Sequence, residues 1–133
     1  MTGIQQKTDW KNLFKINLAN CDDSFQKHEI VKLIIVMKLK KKYSKQNIRI
    51  YTEWIVDEKE KLICDVFFEN IKTKECYAYE IQKNYSENWV KGRDKLYNEI
   101  EVPYFAFDWI PIKLKDCPND INEINTWLDK YIC

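Results

Sequence analysis

Glycine, proline and histidine are scarce in this sequence, whose 133 residues include two glycines, three prolines and one histidine. So few chain-breaking residues argue against flexible linkers and low-complexity tails. The single histidine and five cysteines without a CxxC pair do not provide the ligand pattern of a structural zinc site. An odd number of unpaired cysteines indicates free thiols in a reducing compartment.

Long apolar runs are also missing. No run approaches the roughly 20 residues that a membrane-spanning helix needs, and no hydrophobic signal segment begins the sequence. We therefore expect an intracellular, cytoplasmic protein without membrane contact. The length and an apolar fraction of 45% predict a single domain over residues 1–133. Within it we expect an N-terminal arm over residues 1–22 and a core over about 25–108.

Charge is unevenly distributed although the formal net charge is only +1. Residues 27–49 contain eight cations and one anion, whereas residues 98–133 contain three lysines and seven acids. Lys40, Lys41 and Lys42 stand together in the basic region. This region is either a solvated surface or a stripe that contacts nucleic-acid phosphates.

Hydrophobic periodicity predicts an α/β fold with the element order αβββαβ, followed by a C-terminal helix. The predicted elements are helices over about 25–43, 88–98 and 120–131, and strands over 47–56, 62–69, 75–83 and 102–108. Short polar turns make the first three strands an antiparallel meander. The helix before the fourth strand lets that strand pair in parallel through a crossover. We therefore expect a mixed four-stranded sheet flanked by helices.

Two carboxylates on neighbouring predicted strands are candidate ligands for a divalent cation. Asp65 lies in the second strand and Glu80 in the third, separated by fourteen residues. Side chains alternate along a strand, so Glu80 and Gln82 share a face, and pairing about the turn at 70–74 brings Asp65 opposite one of them. Two carboxylates repel unless a cation lies between them, and Mg²⁺ accepts one or two carboxylates together with waters.

Cys64-Asp65-Val66, followed by Tyr79-Glu80-Ile81-Gln82-Lys83, resembles the PD-(D/E)XK nuclease superfamily. That group includes restriction endonucleases, archaeal Holliday-junction resolvases and RecB-type nuclease domains. The resemblance covers roughly residues 25–108 and implies a restriction-endonuclease-like core with a metal-dependent endonuclease activity.

The resemblance also implies roles for individual residues. Asp65 and Glu80 would be catalytic ligands of Mg²⁺ or Mn²⁺, with the Ile81 carbonyl as a possible third ligand. Glu29 on the first helix matches an acidic residue that completes the metal cluster in many members. The lysine of the family pattern falls at Gln82, and here the sequence departs from the pattern. Glutamine can hydrogen-bond the attacking water or a phosphate, but it brings no positive charge.

Other cations could compensate for this missing charge. Lys83 is one residue away and is expected to face the opposite side of the sheet. The following helix offers Lys91, Arg93 and Lys95, since a charged residue migrates to this helix in some members. Arg93 and Tyr97 also have a spacing that resembles the RecB-type Q-x-x-x-Y element, with arginine replacing glutamine.

Functions from different classes remain open. The first is a Mg²⁺-dependent endodeoxyribonuclease, resolvase-like or repair-like, which hydrolyses DNA phosphodiester bonds and could act as a homodimer. Its predicted DNA-backbone contacts are Lys40, Lys41, Lys42, Lys83, Lys91, Arg93 and Lys95. The second is a non-catalytic module of the same fold that binds nucleic acid or protein, which the glutamine at position 82 favours. A purely structural interaction domain is a third, and the alternative for Asp65 and Glu80 is a solvated or salt-bridged role, as a surface position is for Glu29. His28 is more typical of a satisfied helix residue than of a general base.

Overall fold

A computed structural model describes residues 23–59, 61–100 and 106–132. Its elements are α1 (Asp23–Lys42), β1 (Ile48–Asp57), β2 (Leu62–Asn70), β3 (Glu75–Gln82), α2 (Glu87–Glu99), β4 (Ala106–Lys113), a 3-10 turn (Leu114–Asp116), α3 (Ile121–Trp127) and a second 3-10 turn (Leu128–Tyr131). The predicted order αβββαβ, with a C-terminal helix, is confirmed. The predicted N-terminal arm lies outside the described residues. Across the described ranges we find no helix with the length and apolar character that crossing a bilayer requires.

The four strands form one mixed sheet in the order β1-β2-β3-β4. β1 and β2 are antiparallel, as are β2 and β3, whereas β3 and β4 are parallel. This is the predicted arrangement, because tight turns join the first three strands and α2 forms the connection between the parallel pair. The beginning of β2 and the carboxyl ends of β3 and β4 therefore lie at the same end of the sheet. We call this the carboxyl end of β3.

Helices cover both faces of the sheet. On one face, buried residues of α1 and of the C-terminal helical segment pack against β2 and β3. On the other face, Tyr97 and Leu96 of α2 pack against buried residues of β2 and β3. Val31, Ile35 and Leu39 of α1 are fully buried, and each such side chain contributes about 1.5–3 kcal/mol to stability. The spacing of these residues explains why a run rich in β-branched residues forms a helix here.

The fourth strand differs in its limits from the prediction over 102–108. It runs from Ala106 to Lys113, while residues 101–105 lie outside the described part of the chain. Pro111 lies within the strand, opposite Glu80 in the β3 ladder. A proline cannot donate a main-chain hydrogen bond, but among the described strands β4 has a neighbour on one side only, and such an edge position tolerates proline.

Ser86 caps the helix that covers the second face of the sheet. Its hydroxyl accepts a hydrogen bond from the Trp89 main-chain nitrogen at 3.2 Å. We expect Ser86→Ala to lower the free energy of unfolding by about 1 kcal/mol, since it leaves a helix-terminal N–H without its partner. Urea denaturation measures this. Ser44→Ala, at an exposed turn position, is the matched control and should change stability by less than about 0.5 kcal/mol. Equal effects of the two substitutions would contradict the capping role.

Candidate functional site

Asp65 lies where β1 and β2 bend. The ladder between these strands includes Thr52–Val66 and Trp54–Cys64 but omits the pair between them, and Glu53 has a left-handed φ of 52°. In a regular strand, residues 64 and 66 would share a face. Instead Val66 belongs to the core beneath α1, and Cys64 belongs to the core beneath α2. Asp65 stands at this change of face, and its side chain remains 21% exposed.

Two contacts fix the Asp65 carboxylate. Its Oδ2 accepts a hydrogen bond from the Ile81 main-chain nitrogen at 2.6 Å, and its Oδ1 lies 3.1 Å from His28 Nε2. The β2–β3 register ends at Val66–Tyr79, so the carboxylate binds β3 just beyond the last paired residues. Asp65 is therefore tied to the main chain next to Glu80 and to the first turns of α1.

A buried ion pair on α1 adjoins this contact. Glu29 and Lys32 are only 3% and 1% exposed, and Lys32 Nζ lies 2.8 Å from Glu29 Oε2. The other carboxylate oxygen of Glu29 lies 3.5 Å from His28 Nδ1. The result is a row of alternating acidic and basic groups that runs from Lys32 through Glu29 and His28 to Asp65. Burial of two opposite charges together avoids the large cost of burying either one alone.

Glu80 lies on β3 and is held by α2. It is 1% exposed, and its Oε2 accepts a hydrogen bond from the Tyr97 hydroxyl at 2.8 Å. Its Oε1 lies 3.3 Å from Arg93 Nε, and the Arg93 guanidinium also lies over the Trp89 ring, 5.4 Å from its centroid. The Arg93/Tyr97 spacing noted in the sequence therefore places both side chains on Glu80. Asp65 is held from the α1 side and Glu80 from the α2 side of β3.

The pKa shifts of this region show that the charges act on one another. Burial is the largest influence on the pKa of Glu80 and raises it. The Tyr97 hydrogen bond and the charge of Arg93 oppose this rise, while the charge of Asp65 adds to it. For His28, burial is the largest influence and lowers the pKa, but the hydrogen bond and charge of Asp65 together with the charge of Glu29 outweigh it and raise the pKa above 6.5. Asp65 and Glu80 are therefore close enough to repel.

The sequence predicted that Gln82 shares a face with Glu80 and that Lys83 faces away. Tyr79 and Ile81 pack beneath α1, whereas Ala78 packs beneath α2 together with Tyr97, the partner of Glu80. This alternation agrees with the prediction. Gln82 ends β3 in a partly exposed position, and its register partner in the parallel strand is Lys113. The Lys113 main chain thus lies beside Gln82, and the Lys113 ammonium lies over the Tyr85 ring, 4.7 Å from its centroid.

The predicted phosphate-contacting cations lie in different places. Lys40, Lys41 and Lys42 are exposed in the last turn of α1. Because a helix rises about 1.5 Å per residue, Lys41 lies about 18 Å along the axis from Glu29. Lys91 and Lys95 are exposed on α2, where Arg93 is engaged with Glu80. Lys83 is exposed at the carboxyl end of β3. The site and the three-lysine cluster thus occupy opposite ends of α1.

Asp65 and Glu80 match the donors that Mg²⁺ accepts. Both are carboxylates, the charge of Asp65 adds to the rise in the pKa of the buried Glu80, and a cation near both would offset that repulsion. The roles of Asp65, Glu80, Glu29 and the Ile81 carbonyl as metal ligands stay predictions, and Glu29 is paired with Lys32. Within residues 23–59, 61–100 and 106–132, no three His, Cys, Asp or Glu side chains form a group that could hold a metal ion.

Lys32 and Lys113 are site residues that the sequence analysis did not propose. A signal for Lys32 exists, since it is the only charged residue in the run from Ile30 to Met37 and lies three residues after Glu29, on the same helix face. A lysine inside an apolar run requires a buried partner. Lys113 has no such signal, because its place beside Gln82 depends on the parallel register of β3 and β4.

Comparison with protein-family models, with curated protein sequences and with solved structures gives no match for this chain.

The hydroxyl of Tyr97 supports a buried carboxylate. We expect Tyr97→Phe to lower the free energy of unfolding at pH 8 by about 1.5–3 kcal/mol, because hydrogen bonds to charged groups contribute more than neutral ones. Tyr79→Phe is the matched control: its hydroxyl donates to the neutral Tyr131 carbonyl, also at 2.8 Å, and its removal should cost about 1 kcal/mol. Urea denaturation of both variants measures the difference. Equal effects would show that the charge of Glu80 adds nothing to the strength of this hydrogen bond.

Proposed function

We propose that this protein is a metal-dependent nuclease of the PD-(D/E)XK type that hydrolyses phosphodiester bonds in DNA. The observation that carries the proposal is the position of Asp65, whose carboxylate is bound to the main chain adjacent to Glu80 at the carboxyl end of β3. The αβββαβ order, with the two acids on β2 and β3, supports the restriction-endonuclease-like fold within the α/β class.

The side chains around the two acids have distinct tasks in this proposal. A bound Mg²⁺ or Mn²⁺ supplies Lewis-acid chemistry, which activates water and stabilises charge on a phosphoryl oxygen. Asp65 and Glu80 hold the ion; His28 orients Asp65, and Arg93 and Tyr97 orient Glu80. A carboxylate fixed by several partners loses little freedom when it binds a ligand, which favours a defined geometry.

Gln82 and the surrounding cations act on the substrate. The Gln82 amide can donate to the attacking water or to a phosphate oxygen. Lys83 is exposed one residue beyond Gln82, and Lys91 and Lys95 are exposed on α2, whereas the cluster at Lys40–Lys42 would contact the DNA backbone farther from the cut. Contacts to phosphate give affinity without sequence specificity. Such a small chain would cut both strands of a duplex or a branched junction as a homodimer.

A second candidate function is a non-catalytic module of the same fold that binds nucleic acid or protein. The observation that favours it is that every acid of the proposed site already has a basic partner: Glu29 with Lys32, Asp65 with His28, and Glu80 with Arg93. Such pairs can serve the fold alone. The glutamine at position 82 points in the same direction, because it supplies no charge to a transition state.

Cleavage assays separate the two functions. We expect wild-type protein to cut linear, nicked or branched DNA when Mg²⁺ or Mn²⁺ is present. Asp65→Asn and Glu80→Gln should each reduce the rate by roughly a hundredfold or more, since even partners of metal ligands contribute tenfold to hundredfold. Gel electrophoresis of labelled substrates measures the rate.

Glu69→Gln is the matched control for cleavage. Glu69 is also a partly buried acid on β2, but it lies near the opposite end of the strand and pairs with Arg49 at 3.8 Å. The Glu69→Gln variant should cut DNA at the wild-type rate. Cleavage by purified protein that survives both Asp65→Asn and Glu80→Gln would refute the assigned site, and no cleavage by the wild type under any of these conditions would favour the binding module.

The basic end of α1 makes a separate prediction about duplex DNA. Lys40→Ala/Lys41→Ala should lower the slope of log K against log salt by about 0.9 for each phosphate that the variant no longer neutralises. Lys42 is retained because its ammonium contacts the Ile132 carbonyl and the Tyr43 ring. Fluorescence anisotropy without divalent cations measures binding. An unchanged slope would show that this cluster is a solvated surface.

A further inference from the structure

A groove of about 840 Å³ opens beside the proposed site. Its walls come from the first turns of α1, the residues that follow β3, and the segment from the first 3-10 turn to α3. Three lysines line it, namely Lys27, Lys83 and Lys115, and its apolar floor includes Ile30 and Leu114. This volume is within the range of about 300–1,000 Å³ that ligand sites occupy.

The main chain fixes the spacing of two of these lysines. Lys115 N donates a hydrogen bond to the Lys83 carbonyl at 3.1 Å, and both side chains are exposed. Lys27 is held differently, because its ammonium donates to the Cys117 carbonyl at 2.7 Å and to Asn119 Oδ1 at 3.0 Å. Lys27 therefore lies on the α1 wall with its ammonium fixed by hydrogen bonds, while Lys83 and Lys115 extend from two adjacent main-chain positions on the other wall.

The positive charge of the groove is not neutralised by ion pairs. Among the described residues, Lys27, Lys83 and Lys115 form no salt bridge, and both partners of Lys27 are uncharged. The acid among the lining residues is Asp120. Its Oδ1 accepts hydrogen bonds from the Asn122 and Glu123 main-chain nitrogens in the first turn of α3, so it serves as the cap of that helix. A groove with three cations and one committed acid complements an anionic ligand.

The groove is continuous with the site along two elements. On α1, Lys27 precedes His28, which contacts Asp65 at 3.1 Å. On β3, Lys83 follows Gln82 and faces the α1 side of the sheet, the side from which Asp65 is held. A strand of nucleic acid whose phosphate lies at Asp65 would therefore have its neighbouring phosphates beside Lys83 and Lys115.

We propose that this groove binds the phosphodiester backbone of a single DNA strand next to the scissile phosphate. Lys83 and Lys115 contact phosphates, Lys27 adds its charge from the opposite wall, and the apolar floor lies under the sugars. The proposal rests on the proposed nuclease function for its substrate. It assigns Lys27 and Lys115 to DNA binding and makes the groove, rather than the Lys40–Lys42 cluster, the nearest phosphate contact.

Binding of a fluorescein-labelled single-stranded oligonucleotide, measured by anisotropy in EDTA across a salt series, tests the groove. We expect Lys83→Ala/Lys115→Ala to lower the slope of log K against log salt by about 1.4, which is about 0.7 for each of the two phosphates of a single strand that these lysines neutralise. Lys83→Arg/Lys115→Arg should retain the wild-type slope. Lys27 is left unchanged because its hydrogen bonds also support the fold.

Lys59→Ala/Lys72→Ala is the matched control. This variant also removes two positive charges, but from exposed turn positions outside the groove. The net charge of the protein therefore changes equally in both double variants. Its slope should stay near that of the wild type. An equal decrease in the two double variants, or no decrease for Lys83→Ala/Lys115→Ala, would overturn the groove proposal.

The assay also separates this proposal from the nuclease function. Because binding is measured without divalent cations, a groove that binds DNA in a protein that never cleaves would uphold the groove and refute the enzyme. If Lys83→Ala/Lys115→Ala cleaves DNA at the wild-type rate with metal and binds it unchanged, the nuclease function is upheld and the groove proposal is refuted.

Discussion

The carboxylate of Asp65 is the point at which the sheet and the first helix are joined. It accepts a hydrogen bond from the Ile81 main-chain nitrogen and lies against His28, so one side chain connects β2, β3 and α1. The bend in β1 and β2 frees this carboxylate from both cores and leaves it partly exposed. The position of Glu80, the direction in which Lys83 points and the start of the basic groove all depend on where β3 lies relative to this residue.

Charge compensation is the common feature of the residues around that joint. Three carboxylates and three basic side chains form paired contacts from Lys32 on α1 to Arg93 on α2, and Glu29, Lys32 and Glu80 are almost fully buried. A buried ion pair contributes little net stability compared with apolar residues of the same volume. Retaining so many charges in a short chain is therefore more easily explained by a task that needs them than by stability, which is why we place catalysis before a purely structural role.

Much of this arrangement follows from the sequence, and the remainder depends on tertiary contacts. Turn lengths and strand alternation were sufficient to predict that Asp65 lies opposite the end of β3. They also predicted that Gln82 and Lys83 point to opposite sides of the sheet. The bend at Glu53 could not be predicted, because its left-handed φ occurs at a residue without the usual preference of glycine or asparagine for that conformation. The burial of Lys32 and the extension of β4 past Pro111 were also missed, since the first depends on a partner and the second on an edge position in the sheet.

The proline in the edge strand has a consequence for self-association. An edge strand normally offers a row of unpaired main-chain groups to which a second chain can add, and this is a common route to aggregation. Pro111 lacks one of the N–H donors that such a template requires, and the pairing between β1 and β2 at the other edge is interrupted at Glu53. Among the strands that the structure describes, neither border is thus a regular template for strand addition. Any pairing of two copies should consequently use helical or loop surfaces instead of a continuous intermolecular sheet.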